Sequence, residues 1–185
     1  MYEEQKLKDL TLLIDIVIAK PTLNFPTIKL RNYMESIFSI GASPAMFHIC
    51  EWVTHEMFEK IMKNSNFRED EKFRVIEDIF SIKGWGELEF IESDIKIEKF
   101  RIKVQKCFEC EEKKSSIKDC YMLRGLLTGA LSALFNQKII TVEIKCRFRD
   151  NNFCEFIAFP ITNSETVNSK FSIQNYDQKR IDRFL

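Results

Sequence analysis

The stretch CYMLRGLLTGALSALFNQKIITVEIKCRFRDNNFCEF, Cys120 to Phe156, decides the fold. Its first part predicts a helix from Asp119 or Cys120 to about Phe135. Two strands follow, over 139–147 and 153–159, joined across Arg149-Asp150-Asn151-Asn152, a turn-rich tetrad that predicts a hairpin. Three cysteines sit on this frame. Cys120 opens the helix, where unpaired amides and the dipole favour a thiolate. Glu143 and Cys146 are three apart on one strand, so strict alternation sends them to opposite faces and a bulge is needed if they share a target. The hairpin returns Cys154 beside Cys146. Three thiolates and a carboxylate are four donors, the number that suits tetrahedral zinc, and such a site would staple helix to hairpin. The other reading is equally physical: free cysteine is among the most buried residue types, and these thiols would simply fill a core.

Outward from this stretch, the rest of the chain completes an α+β pattern. The apolar run from Leu10, LTLLIDIVIA, is β-rich and predicts a strand. LNFPTIKL follows it, with Pro26 pointing to an edge or turn. RNYMESIFSIG, from Arg31, predicts a short helix stopped by Gly41. Ser43-Pro44 predicts the start of a second helix running to about Lys63, with Met46, Phe47, Ile49, Cys50, Val53, Met57, Phe58 and Ile61 on its apolar face. A third helix is expected over 69–82. The Gly84-Trp85-Gly86 turn ends it, with Trp85 as a packing anchor. GELEFIE is a strand, Ser93-Asp94 a turn, and IKIEKFRIKVQKCFE a half-buried strand or bent pair. Strands, three helices, strands, helix and hairpin make an antiparallel sheet with helices gathered on one side. We expect a single domain over 1–162, with N-terminal strands and helices in 1–83 and the sheet, site helix and hairpin in 84–162. A polar tail or short helix would cover 163–185.

Composition narrows the function classes. The 28 basic and 28 acidic residues of the 185-residue chain cancel, which leaves no electrostatic footprint for nucleic acid. The longest apolar runs are broken by an acid and too short to span a bilayer, so no membrane insertion is expected. The N-terminus lacks the basic-then-apolar layout of a signal peptide, and a cytoplasmic location follows. Six cysteines in that compartment point to metal ligands, buried thiols or redox groups rather than a disulfide framework.

The pattern Cys120, Gly125 and Gly129 on a helix, Glu143-x-x-Cys146, a short hairpin and Cys154-x-Phe156 resembles the signature of the 4-vinyl reductase domain family, also called the predicted hydrocarbon-binding family. Gly84-Trp85-Gly86 before a long strand matches it upstream. The resemblance covers roughly residues 20–160. It implies the fold shared with subunits of the TRAPP trafficking complex and with haem-NO-binding domains. It also implies a zinc held by Cys120, Glu143, Cys146 and Cys154, by likeness to phenol-sensing activators, and a homodimer paired through helices. The segment HICEWVTHEMF departs from the family's small-residue second helix, so no pocket residue is carried over.

Other candidates each have a plainer counterpart. Cys107-Phe108-Glu109-Cys110 is a CxxC, a rival source of zinc ligands together with Cys120, or a dithiol. It ends a strand and enters a charged loop, unlike the strand-to-helix setting of thioredoxin-type sites. His48 and His55 share one helix face and read more simply as surface or core residues. Gly125 and Gly129, four apart, suggest close approach of another element. No nucleophile–base pair, phosphate-cradling loop or dinucleotide fingerprint is present. A zinc with four protein ligands has no open position for substrate. The expected function is therefore a non-enzymatic binding or sensor module for a small hydrophobic molecule, with a structural zinc. The alternatives are an assembly or adaptor subunit, and an accessory protein to a reductase.

Overall fold

The fold is that of a computed structural model, which describes residues 24–63, 67–94, 99–110, 119–147 and 152–161. The strand expected from Leu10, the connection 111–118, the hairpin turn at 148–151 and the tail 163–185 lie outside the described residues. The elements are α1 (Asn24–Phe38), a short 3-10 turn (Ser39–Gly41), α2 (Ala42–Lys63), α3 (Glu69–Ile82), β1 (Glu87–Asp94), β2 (Lys99–Gln105), a second 3-10 turn (Phe108–Cys110), α4 (Tyr121–Phe135), β3 (Ile139–Lys145) and β4 (Cys154–Pro160). The sheet is antiparallel, in the order β1-β2-β4-β3.

Two local expectations are corrected. LNFPTIKL is no edge strand: α1 begins at Asn24 and runs through it. Pro26 stands in the first turn, where a fixed φ suits the helix and the missing N–H would have had no intrahelical acceptor. Ser93 and Asp94 are strand, paired with Phe100 and Lys99. The start of α3 is closed by the Glu71 side chain, which accepts a 2.8 Å bond from the Arg68 amide.

The α4 helix is the centre of the molecule. Every residue from Tyr121 to Leu134 is buried except Arg124, which is half-buried. Only a helix enclosed on all sides can be apolar all round. It packs against α2 on one side and β3 on the other. The α2 contact is backbone to backbone. A Cβ at Gly125 would overlap the Phe47 carbonyl, and one at Gly129 the Glu51 carbonyl. The expected close approach is therefore real, and α2 is the element that makes it. At its far end α4 stops with Asn136 in the left-handed region, φ 48°. Ser132 Oγ then accepts the Ile139 amide at 3.0 Å, fixing the entry to β3.

The sheet has two unlike faces. On β2, Phe100, Ile102 and Val104 are buried toward the helices. The alternate residues carry charge: Arg101 and Lys145 both pair with the buried Glu155 of β4, and Lys103 with Glu89 of β1. Helices are thus needed on one face only. Between α3 and the sheet, Phe73 meets Phe90, Phe100 and Phe135, and Trp85 packs edge-on to Phe80 at 5.1 Å.

Candidate metal centre

Five of the six cysteines converge at one end of the sheet, each from a different place in the chain. Cys107 and Cys110 flank the turn after β2. Cys120 is the residue before α4, Cys146 follows β3, and Cys154 opens β4. All five are buried. The Cys110 sulfur lies 3.2 Å from that of Cys120, 3.4 Å from Cys154 and 3.8 Å from Cys146. Cys120 is 3.7 Å from both Cys146 and Cys154, and 3.6 Å from Cys107.

Local structure explains the convergence. Register breaks between Glu143 and Lys145 against β4, the bulge that lets Glu143 and Cys146 turn to one side. Cys154 pairs with Val104, which sets it beside the chain leaving β2 toward Cys107. The turn carrying Cys110 is fastened to α4 by Glu109. Its carboxylate accepts the Leu123 amide at 2.7 Å and the Met122 amide at 3.2 Å, two of the orphan donors at the helix start. Arg31 of α1, stacked on the Tyr121 ring and bonded to Glu35, stands 3.9 Å from Glu109. Glu143 adds a third anchor, its Oε2 accepting the Cys120 amide at 3.1 Å.

Electrostatics make this a costly place without a cation. Burial pushes the Glu109 carboxyl up to about 8, against the Leu123 amide and Arg31. Burial, then the Cys146 and Cys154 thiols, pushes Glu143 up to about 9. Burial likewise raises Cys107 to about 11. Cys110 and Cys120 are raised by sulfur bonds to their neighbours, Cys107 foremost. Cys154 is lowered because Cys107, Cys110, Cys120 and Cys146 all donate to it. The Arg147 amide points at the same sulfur, at 3.4 Å. The expectation that the helix dipole makes Cys120 the thiolate is therefore reversed. Adjacent thiols outweigh a half-charge, and the negative charge gathers on Cys154.

The donors suit a soft or borderline cation. For a zinc–sulfur bond of about 2.3 Å, a tetrahedron has sulfur–sulfur edges of about 3.8 Å, close to the separations above. Donor atoms of Cys120, Glu143, Cys146 and Cys154 all lie within 4.8 Å of one another, and so do those of Cys107, Cys110, Cys120 and Cys154. Glu143 Oε1 is buried without a hydrogen-bond partner among the described residues, an orphan that a cation would satisfy. The four residues expected from the sequence are thus brought together. The CxxC, ranked as a rival, belongs to the same cluster instead of entering an exposed loop. Its signal was the odd glutamate inside it: Glu109 caps α4 and turns the motif inward.

The histidines stay outside. His48 is exposed and paired with Glu51 at 3.0 Å, and His55 stands beside Glu56 and Glu59 on α2. Cys50 is buried where α2 meets Gly125.

Comparison with known proteins places this geometry. Residues 100–160, which hold all five cysteines and Glu143, match the model of the 4-vinyl reductase domain. Among curated proteins, none matches the sequence. Among solved structures, the phenol-responsive sensory domain of the transcription activator PoxR, with phenol, is similar at 18% identity and TM-score 0.60, over 74% of each chain. A vinyl-4-reductase family protein from Methanocaldococcus jannaschii is similar at 18% identity and TM-score 0.56, over 84% of this chain and 95% of that one. A trafficking protein particle complex subunit 3 from Naegleria fowleri, covalently bound to palmitic acid, is similar at 12% identity and TM-score 0.60, over 78% and 96%. By sequence over residues 100–160, and by fold over most of its length, this chain carries a 4-vinyl reductase domain.

Proposed function

We propose that the chain is a non-enzymatic binding or sensor domain for a small hydrophobic molecule, its fold stapled by one structural zinc ion. The observation that carries the ligand half is likeness to a sensory domain holding phenol, over 74% of this chain. A neighbour that carries palmitic acid supports the same class. The thiol cluster carries the metal half. Cys120, Cys146 and Cys154 are its common donors, and Glu143 reaches the same position with an unpartnered oxygen. A filled tetrahedral shell makes the ion structural. Thiols so close together keep a cation only when reduced, which fits a cytoplasmic setting. The proposal includes a homodimer. Tyr33, Ile37 and Phe38 on α1 and Trp52 on α2 are exposed apolar groups that a helix-mediated pairing would cover.

The test is metal analysis of protein purified without chelator, combined with native mass spectrometry and thermal shift with phenol and with a sixteen-carbon fatty acid. One zinc per chain and a thermal shift with either compound is the expected result. A ligand at about 100 times its Kd adds about 2.7 kcal/mol, which is several degrees for a domain of this size. Zinc with no response to either compound would overturn the ligand half. Those same exposed groups would then favour an adaptor subunit, as in the trafficking-complex neighbour.

A further inference from the structure

We propose that Cys110 is a metal ligand, and that the ion sits in four thiolates, those of Cys110, Cys120, Cys146 and Cys154, with Glu143 just outside them. The inference deepens the proposed function and rests on its metal centre.

Edge lengths argue for this set. Five of the six sulfur–sulfur edges are 3.2, 3.4, 3.7, 3.7 and 3.8 Å, and the sixth, Cys146 to Cys154, is within 4.8 Å. A zinc–thiolate tetrahedron needs about 3.8 Å. The thiols therefore need only spread by a few tenths of an ångström to accept the ion. Cys107 is a neighbour of Cys110, Cys120 and Cys154 as well, yet choosing it would leave Cys146 as an idle thiol 3.7 Å from a ligand. Two ions sharing Cys120 and Cys154 would put Cys110 and Cys146 on different metals. Terminal ligands on adjoining tetrahedra stand well beyond the 3.8 Å seen between them.

Preorganisation argues the same way. Cys110 does not reach the cluster by chance of rotamer. Its turn is tied to the start of α4 by the two Glu109 bonds, and its own amide is bonded to the Cys107 carbonyl at 3.0 Å. Glu143 has one oxygen committed to the Cys120 amide. That is the pose of an outer partner that orients a ligand. Its unpartnered Oε1 is the rival for the fourth position, so the test must separate the two residues.

Cobalt(II) replaces zinc in the apo protein, and the intensity of its sulfur-to-cobalt absorption counts thiolates. The intact protein should take one cobalt with the intensity of four. Cys110→Ser should lose a quarter of that intensity. It should also weaken retention against a chelator by more than the roughly 10–100-fold that loss of an outer partner costs. Glu143→Gln keeps an acceptor for the Cys120 amide and should keep the full intensity. Cys107→Ser should do the same. An intact-protein spectrum of three thiolates, with Glu143→Gln losing the metal and Cys110→Ser keeping it, would overturn the inference and leave the metal centre standing. Two cobalt ions per chain would also overturn it. No metal uptake at all would end both readings. The intact protein's spectrum decides between three and four thiolates even if Cys110→Ser fails to fold.

Discussion

At the scale of single residues, the cluster gathers more thiols than a tetrahedral ion needs, and their roles should separate in experiment. Cys146 is the sulfur that follows the bulge of β3. Cys146→Ser should lower zinc content and melting temperature together, because the ion's binding free energy is also folding free energy. Metal analysis and calorimetry on the same sample check this. A variant that loses zinc and keeps its full melting temperature would refute the staple. The residues that were legible in the sequence are those whose spacing implies a shared target: Cys120, Glu143, Cys146 and Cys154. Cys110 was not, because a CxxC at the end of a strand gives no sign of where its turn will point. That direction is set by Glu109, which bonds to amides 13 and 14 residues further along.

Between elements, the tightest fit is α2 against α4. Gly129→Ala should destabilise the protein even though alanine favours helix by about 1 kcal/mol. The new methyl would meet the Glu51 carbonyl and the His55 amide, backbone that cannot rotate away. Overpacking of this kind costs about 3 kcal/mol, so a net loss of about 2 kcal/mol is expected from urea unfolding. A neutral or stabilising result would show that the helices can separate freely. On the open sheet face, Glu155 links β4 to its two neighbours. Burial alone would raise its pKa, but the Lys145 and Arg101 bonds outweigh burial and hold it below the ordinary 4.5. Its contribution is therefore present above that value and lost as pH falls through the lower, folded value. The stability gap between the parent and Glu155→Gln should be open at pH 6 and close in strong acid. A gap that does not change with pH would mean that the charge plays no part. Helix positions were easy to foresee where an apolar face repeats, as in α3 and α4. The start of α1 was not, because Pro26 marks a first turn and an edge strand equally well.

For the molecule as a whole, the proposed ion joins the turn after β2, the head of α4 and the β3–β4 hairpin. Chelation should lower the melting temperature of the entire domain in one transition, with zinc restoring it. Loss of the signal from one region alone would show that the site is a local ornament. The fold class followed from the order of strands and helices, and the structure agrees with it. Strand order was beyond reach, since nothing in an alternating pattern says which neighbour a strand will choose. Nor does a coarse α+β reading reveal that α4 is wrapped on both sides.

That strand order has a consequence for how the chain comes into being. In β1-β2-β4-β3 the last strand in sequence is an inner one, paired to β2 on one side and β3 on the other. A chain still being synthesised, or cut short before Cys154, would lack the joint of its sheet and not merely a border. The β1–β2 pair and β3 would have no hydrogen-bonded path between them, and each would show water, or a neighbouring molecule, an unpaired row of amides and carbonyls. The sheet can close only after residue 160 has emerged, so the span most exposed to wrong pairing is the brief one just before completion.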